Sequence, residues 1–289
     1  MKESLICNLC SAPGTFENSD DKQVVPCHLR SHREQNFQLW RCKNCLSLHS
    51  KESVDLDYFY SIYPFRKQRL DWATKAVYGN RLKLLQNHGL KKHHSILDFG
   101  SGQGLFEKFL KAKGYTNVVS FDPYLVKSEH TEPTDVQYDF VMAQDVLEHV
   151  DEPDETISLL VKCLKLDGKL VIGCPNATGI DLSKFAKYAN ELHQPYHRHI
   201  PSKAALEALL RRHDFSKIDC HLRYYFDTLI PGFNTLFVNE YTLACGAFAE
   251  VLVEPPNFQV FLSNPLLFYH ALTGYFSPGQ ANMILFCTK

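Results

Sequence analysis

Three glycines alternate with polar residues at a point where a strand would end and a helix begin. The apolar run 95–99 precedes them, and they are Gly100, Gly102 and Gly104. Glycine has no Cβ and tolerates a positive φ, so a ligand can approach such a turn closely. The free N–H groups at the start of the next helix favour a carboxylate or a phosphate. Because position 105 is Leu105, the spacing differs from the G-x-G-x-x-G of dinucleotide sites.

An acidic residue lies at the tip of the next predicted strand. Residues 118–121 are apolar enough for a short buried strand, and Asp122 follows them. In a parallel sheet, an acid at this point can accept hydrogen bonds from both hydroxyls of a ribose. The stretch 123–137 that follows has room for a short helix or a short strand, hardly for both at full length.

Further apolar runs predict that strands and helices continue to alternate. Strands are expected over 138–143 and 169–176, with a helix that begins at Pro153 and stops at Asp167-Gly168. Such alternation is typical of an α/β protein with a parallel sheet.

Four of these segments, in this order, resemble the motifs of class I S-adenosylmethionine (SAM)-dependent methyltransferases: LDFGSGQG, the Asp122 strand, YDFVMAQDVLEHV and LKLDGKLVIGCPN. The small-molecule branch that includes the ubiquinone-biosynthesis O-methyltransferases is the most similar, and the resemblance covers about residues 95–225. It implies a Rossmann-like α/β sheet with helices on both faces. It also implies that the three glycines cradle the methionine end of SAM, that Asp98 orients their turn and that Asp122 holds the ribose. The short stretch after Asp122 leaves the usual adenine-contacting acid without an obvious counterpart, so Gln144 and Asp145 are candidates for part of that role.

A histidine-rich run offers groups for proton transfer. Ligands in this fold bind beyond the carboxyl ends of the strands, and residues 193–201 (HQPYHRHIP) follow such an end. Histidine is the usual general base at neutral pH, so His197, or else His193, is expected to act as base or acceptor ligand. The alternative is a structural loop whose imidazoles bond to backbone carbonyls. A second cluster, at residues 145, 148 and 149, could hold a divalent cation or merely cap and orient its loop.

Two cysteine pairs predict a metal site near the N-terminus. Cys7 and Cys10 form one C-x-x-C, and Cys42 and Cys45 form another. Four thiolates make a closed tetrahedral zinc site, which is structural rather than catalytic. Residues 1–50 hold too few apolar side chains for a core, so a metal would supply the missing stability. Free thiols and iron are the alternatives.

Two flanking segments are expected to enclose the site. The first, 51–94, is predicted as a helical connection with a helix over 67–86. Similar enzymes fold this segment over the cofactor, where Tyr63 or Tyr58 could meet the sulfonium or the methionyl carboxylate. The second, 226–276, is rich in Phe, Tyr and Leu and predicts a helical insertion that walls the acceptor pocket. A homodimer face and contact with a membrane surface are open alternatives for it.

Length and composition fit one α/β domain plus a small module. The chain has 289 residues, 45% of them hydrophobic, and a net charge of -1. The predicted domains are a zinc-binding module (1–50), the connection (51–94) and a methyltransferase domain (95–289). The near-zero charge disfavours nucleic acid as a partner. Without a signal-peptide core or a membrane-spanning run, a cytoplasmic protein is expected. There, ten cysteines favour metal ligands and free thiols over disulfides.

These observations predict an enzyme that uses SAM and a structural zinc ion. The expected acceptor is a small molecule, such as a sugar, a quinone-like aromatic or a secondary metabolite, methylated at oxygen or carbon. The alternatives are an RNA methyltransferase that grips nucleic acid with its zinc module, and a SAM-binding interaction module without catalysis.

Overall fold

A computed structural model describes residues 5–123, 133–223 and 226–289. Its strands are β1 (Lys22–Pro26), β2 (Asn36–Arg41), β3 (Leu48–Ser50), β4 (Ile96–Phe99), β5 (Val118–Phe121), β6 (Tyr138–Gln144), β7 (Leu164–Pro175), β8 (His199–Ile200), β9 (Lys217–His221) and β10 (Asn282–Thr288). Its α-helices are α1 (Leu56–Ser61), α2 (Trp72–Asn87), α3 (Leu105–Ala112), α4 (Pro153–Lys162), α5 (Ala189–Leu192), α6 (Lys203–Arg212), α7 (Thr235–Ala244), α8 (Phe258–Ser263) and α9 (Pro265–Thr273).

The central sheet has six strands in the order β5-β4-β6-β7-β10-β9. Strands β5, β4, β6 and β7 are parallel to one another, whereas β10 is antiparallel to both β7 and β9. Apolar side chains of α2 and α3 pack on one face, and those of α4 and α6 pack on the other. Coverage of both faces explains why β4 is buried at every residue. The predicted Rossmann-like α/β fold is confirmed, and the carboxyl ends of its parallel strands meet at one edge.

A second sheet joins the N-terminal segment to the histidine-rich run. It has the order β1-β2-β3-β8, in which β1 and β2 form an antiparallel hairpin. In the pairing of β3 with β8, His49 lies opposite His199. Apolar residues of this sheet share a cluster with Ala177 and Leu182 from the other half of the chain. Residues 5–50 therefore pack as part of a larger unit.

Two local predictions need correction. The helix that starts at Pro153 ends at Lys162, so the expected stop at Asp167-Gly168 was wrong, and those residues lie within β7. The register explains this, because Tyr138 pairs with Leu164 and Phe140 with Lys169, which leaves residues 165–168 as an irregularity of the strand. Glycine and aspartate thus mark a bulge here and not the end of a helix.

The second correction concerns α2, which begins at Trp72 with Asp71 as its N-cap, whereas residues 64–67 form a separate 3-10 turn. Within the short stretch 123–137, residues 124–132 lie outside the described part of the chain, and 133–135 form a 3-10 turn. Across the described ranges, no helix combines the length and apolarity needed to cross a membrane.

Candidate functional site

The glycine turn connects β4 to α3. Gly100, Gly102 and Gly104 have φ of 71°, 53° and 66°, which side chains with a Cβ rarely adopt. A Cβ on Gly100 would lie 2.3 Å from Cγ2 of Val146, whereas one on Gly102 would meet no atom within 4 Å. The first glycine is thus required by the fold. The second faces open space, where a ligand can reach the backbone.

Asp122 holds this turn from the neighbouring strand. Its Oδ2 accepts a hydrogen bond of 2.8 Å from the N–H of Gly102, and the N–H of Gly100 donates to the carbonyl of Phe121 at 2.7 Å. The predicted ribose acid therefore stands at the mouth of the glycine turn. A carboxylate accepts several hydrogen bonds at once, so this contact is compatible with a bound ribose.

Asp98 is buried two residues before the turn. Its Oδ1 lies 3.8 Å from Nη2 of Arg81 on α2, and the Arg81 guanidinium stacks 4.1 Å from the ring centre of Phe106 on α3. Burial raises the pKa of Asp98 to about 6, although Arg81 acts in the opposite direction. The pair ties α2 to β4 beneath the turn, and sequence reasoning had not identified Arg81.

A sharp turn follows β6. Asp145 has φ of 56°, and its N–H donates to the carbonyl of Gly173 at 2.8 Å. The Gln144 amide packs on the backbone of Gly173, where a Cβ would lie 2.0 Å from Oε1, and its Nε2 donates to Oδ1 of Asp145 at 3.1 Å. This turn directs Val146 against Gly100. Gln144 and Asp145 are thus close to the glycine turn, and their contact with adenine stays a prediction.

Glu148 is fully buried in the 3-10 turn that follows. Neither of its carboxyl oxygens has a hydrogen-bond partner among the described residues, and Oε1 lies 4.0 Å from Nε2 of His197. Burial, with Asp145 nearby, raises the pKa of Glu148 well above its usual range. Leaving a polar group buried and unpaired costs about 1–3 kcal/mol. The Glu148 carboxyl is therefore a candidate contact for a bound ligand or ion.

Both predicted histidines lie at this point and are buried. The Nδ1–H of His197 donates to the carbonyl of Glu191 at 2.6 Å, which leaves Nε2 as the acceptor nitrogen that faces Glu148. Burial lowers the pKa of His197 to about 4 and that of His193 well below its usual range. The ring centroid of His197 lies 5.2 Å from that of His193 and 4.7 Å from that of His149. The imidazoles are therefore neutral at physiological pH, as a base or a metal ligand requires.

The aromatic segment 58–66 lies against both the glycine turn and the histidines. Tyr63 packs on Tyr196 and His193, with ring centroids 4.6 and 5.9 Å away, and the Gln103 side chain donates to the carbonyl of Arg66. Burial raises the pKa of Tyr63, so its phenol remains protonated. The segment thus reaches from the glycine turn to the histidines.

Two other tyrosines of this segment differ from expectation. Tyr60, which sequence reasoning missed, places its hydroxyl 2.9 Å from Nδ1 of His149. The hydroxyl of Tyr58, the alternative to Tyr63, lies 3.1 Å from Nε2 of His32, and 48% of Tyr58 is exposed. The density of aromatic residues was the signal in the sequence, but it could not choose among them.

The four cysteines of the N-terminal segment converge. Sγ of Cys7 lies 3.5 Å from that of Cys45, and Sγ of Cys10 lies 3.7 Å from that of Cys42. All four sulfurs lie within 4.8 Å of one another. With Zn–S bonds of about 2.3 Å, a tetrahedral site needs S–S separations of about 3.8 Å. The sulfurs therefore fit a zinc ion.

Backbone turns hold these cysteines in matching positions. The N–H of Ser11 donates to the carbonyl of Cys7 at 2.8 Å, and that of Leu46 donates to Cys42 at 2.9 Å. The cluster also contacts the histidine-rich run, since Oγ of Ser202 donates to the carbonyl of Cys45 at 2.6 Å. A metal here would stabilise the loop that carries the histidines.

Comparison with known proteins agrees with this architecture. The sequence profile of a methyltransferase domain matches residues 68–219, and no curated protein gives a significant match.

Among solved structures, phosphoethanolamine N-methyltransferase 2 of Haemonchus contortus, in complex with phosphomonomethylethanolamine and S-adenosylhomocysteine, is similar at 15% identity and a TM-score of 0.49. That alignment covers 84% of this chain and 62% of that one, so the chain spans less than two thirds of that enzyme. A SAM-dependent methyltransferase of Archaeoglobus fulgidus is similar at 16% identity and a TM-score of 0.46, over 80% of this chain and 100% of that one. Because the matched profile covers more than half of the chain, the chain belongs to the methyltransferase domain family.

Proposed function

We propose that the chain transfers the methyl group of SAM to an oxygen or carbon atom of a small-molecule acceptor. The acceptor classes that we favour are a sugar, a quinone-like aromatic or another secondary metabolite. Gly100, Gly102 and Gly104 would hold the methionine end, Asp122 the ribose, and Gln144 and Asp145 the adenine side. When bound, SAM supplies a methyl carbon that is already activated by positive sulfur.

The observation that carries this proposal is the loop 145–149. At one end of the loop, Val146 packs on Gly100. At the other, Glu148 and His149 face His197. The predicted donor site and a buried polar cluster are therefore separated by one short turn, which suits a reaction that places two molecules in contact and excludes water.

The cluster is suited to removing a proton. Nε2 of His197 is a neutral acceptor that could take the proton of an acceptor hydroxyl or of an acidic carbon. Once His197 is protonated, the Glu148 carboxyl, with Oε1 4.0 Å from Nε2, would lie beside the imidazolium and stabilise it electrostatically. His193, whose Nε2 has no hydrogen-bond partner among the described residues, is the second candidate base.

The insertion over 226–276 is proposed to wall the acceptor site. Nδ2 of Asn239 on α7 donates to Oε1 of Glu191 at 2.9 Å, and the Glu191 carbonyl in turn holds His197. Exposed apolar side chains, such as Phe258 on α8 and Leu272 on α9, leave a homodimer face and a membrane contact as open proposals. The remaining domain limits, 1–50, 51–94 and 95–289, and a cytoplasmic location are further proposals.

Methyl transfer from labelled SAM to a panel of acceptors tests this function. Sugars, catechols, other hydroxylated aromatics and amines should be compared with total RNA at low and high salt. Label in a small acceptor, with an intact Asp122 required, is the expected result. Salt-sensitive label in RNA would favour the alternative in which the cysteine module binds nucleic acid. SAM binding without transfer to any class would favour a non-catalytic module.

We also propose that Cys7, Cys10, Cys42 and Cys45 bind a structural zinc ion. Zinc sites in small modules contribute about 10–16 kcal/mol at neutral pH. Cys10→Ser should therefore remove bound zinc and lower the melting temperature. It should also reduce methyl transfer more than SAM affinity, because the cluster supports the histidine loop and not the glycine turn. Zinc content, thermal melting and SAM calorimetry would measure this.

Cys245→Ser is the matched control. Cys245 has similar partial burial but lies outside the cluster, so zinc content should not change. A Cys10→Ser protein that keeps as much zinc as the wild type after desalting, and melts at the wild-type temperature, would refute the site.

A further inference from the structure

The structure assigns a second metal site, for a divalent transition metal such as Zn²⁺, to His88, Asp219 and His221. His88 is the C-cap of α2, and the other two alternate along β9, the strand at the edge of the central sheet. Three strands of the sheet separate β9 from β4 and its glycine turn. The assignment is independent of the function proposed above.

Three ligand atoms converge at the spacing that a metal imposes. Nε2 of His88 lies 3.0 Å from Oδ2 of Asp219 and 3.1 Å from Nε2 of His221, and the last two atoms are 3.5 Å apart. For bonds of about 2.0–2.1 Å to nitrogen and oxygen, a tetrahedral zinc ion separates its ligand atoms by about 3.3 Å. All three distances lie close to that value.

The tautomer of His88 leaves Nε2 available as a metal ligand. Nδ1 lies 2.9 Å from the carbonyl of Leu84, and since a carbonyl only accepts, Nδ1 carries the proton. Nε2 of a neutral His88 therefore turns a lone pair towards a carboxylate oxygen. Two acceptors at 3.0 Å repel each other unless a proton or a cation lies between them. In a metal-binding histidine, the ring nitrogen that does not bind the metal usually donates a hydrogen bond to a group such as a backbone carbonyl, which fixes the ring.

Packing fixes both rings before any metal binds. The His88 ring stacks on Phe286 with a centroid distance of 3.6 Å and an interplanar angle of 5°, and the His221 ring meets the same phenyl group edge-on at 5.7 Å. The Asp219 side chain is 54% exposed, so an ion can enter from solvent. Two imidazoles and one carboxylate leave a fourth position for water, which is typical of an open site.

Calorimetry on the full chain tests this site. The protein is saturated with zinc, desalted to remove weakly held metal, and titrated with ZnCl₂ at pH 7.5. We expect one further equivalent to bind. His221→Ala should weaken this binding by more than the roughly 10- to 100-fold that loss of an outer-sphere partner costs. Asp219→Asn, at an exposed side chain, should do the same without risk to the fold.

His213→Ala is the matched control. Nε2 of His213 lies 3.3 Å from Oδ1 of Asp154, but the described residues place no second imidazole beside that pair, so zinc binding should not change. Failure to bind a further equivalent would overturn the assignment. So would unchanged affinity in both His221→Ala and Asp219→Asn, which would leave a triad held by a shared proton.

Discussion

Gly102→Ala should leave the protein folded and lose most of its affinity for SAM, whereas Gly100→Ala should lose the fold. A Cβ on Gly102 meets no protein atom within 4 Å. The substitution therefore destabilises the fold only through the strain of alanine in the left-handed conformation, about 1–2 kcal/mol. The same methyl group would project into the space where the methionine end of SAM must approach the backbone. We expect its Kd for SAM to rise at least about tenfold, which corresponds to about 1.4 kcal/mol.

Gly100→Ala differs because its Cβ would lie 2.3 Å from Cγ2 of Val146. Val146 is β-branched and stiff at χ1, so the cost combines backbone strain with overpacking of about 1–3 kcal/mol. Thermal melting and SAM calorimetry on both variants would show the contrast. Gly79→Ala, within α2 and with no atom near its Cβ, is the control. It should gain about 0.5–1 kcal/mol of stability and bind SAM normally. Normal SAM binding by Gly102→Ala would place the donor elsewhere.

The elements of the proposed donor site could be predicted because their signals are local. A short apolar run, alternating glycines and an amphipathic helix lie within residues 95–112, and the structure places β4, the turn and α3 there. The C-x-x-C pairs are equally local, and their four sulfurs converge as the spacing indicated. Each of these features depends on neighbours in sequence.

The rest of the site depends on contacts across the chain. No pattern in the sequence indicates that Arg81 lies beside Asp98, or that Tyr60 reaches His149, since those contacts follow from how α1 and α2 pack on the sheet. The pairing of β3 with the two-residue strand β8 was equally invisible, because a strand of that length has no periodicity. The end of α4 was misplaced because a glycine at a β-bulge cannot be told from a glycine at a helix end by its sequence alone.

Burial is what most changes the meaning of the histidine-rich run. In the sequence, residues 193–199 fit a structural loop whose imidazoles bond to backbone carbonyls as well as they fit a site. In the structure His193, His197 and His199 are each at most 6% exposed. Because burial lowers the pKa of these imidazoles, they are neutral at pH 7 and keep a lone pair, which a base or a metal ligand needs. This property, rather than the number of histidines, supports a catalytic role.

His197→Asn should reduce kcat by about 10²–10⁴, the usual contribution of a general base, and leave the Kd for SAM unchanged. The asparagine amide can still donate to the carbonyl of Glu191, as Nδ1–H does now. It has no counterpart of Nε2, so only the proton acceptor is lost. His199→Asn is the control, since Nδ1 of His199 lies 3.0 Å from Nδ2 of Asn8 at the cysteine segment, and kcat there should change little. If kcat of His197→Asn stays within a few-fold of wild type, the base is His193 or the acceptor needs none.

The pH dependence provides a second test of the same residue. A base acts in its neutral form, and burial lowers the pKa of His197 to about 4. Activity of the wild-type protein should therefore stay level from pH 8 down to about 5.5, whereas an exposed histidine would lose activity near its ordinary pKa of about 6.5.

The stability of the fold, unlike the activity, should fall as the pH decreases over the same range. His28 and His49 have folded pKa values of about 3 because they are buried, so the unfolded chain takes up their protons first. Acid below about pH 6.5 thus favours unfolding. Circular dichroism at each pH would separate this loss from titration of the base. A fall in kcat near pH 6.5, with the folded fraction unchanged, would contradict a buried neutral base and favour a solvent-exposed group in its place.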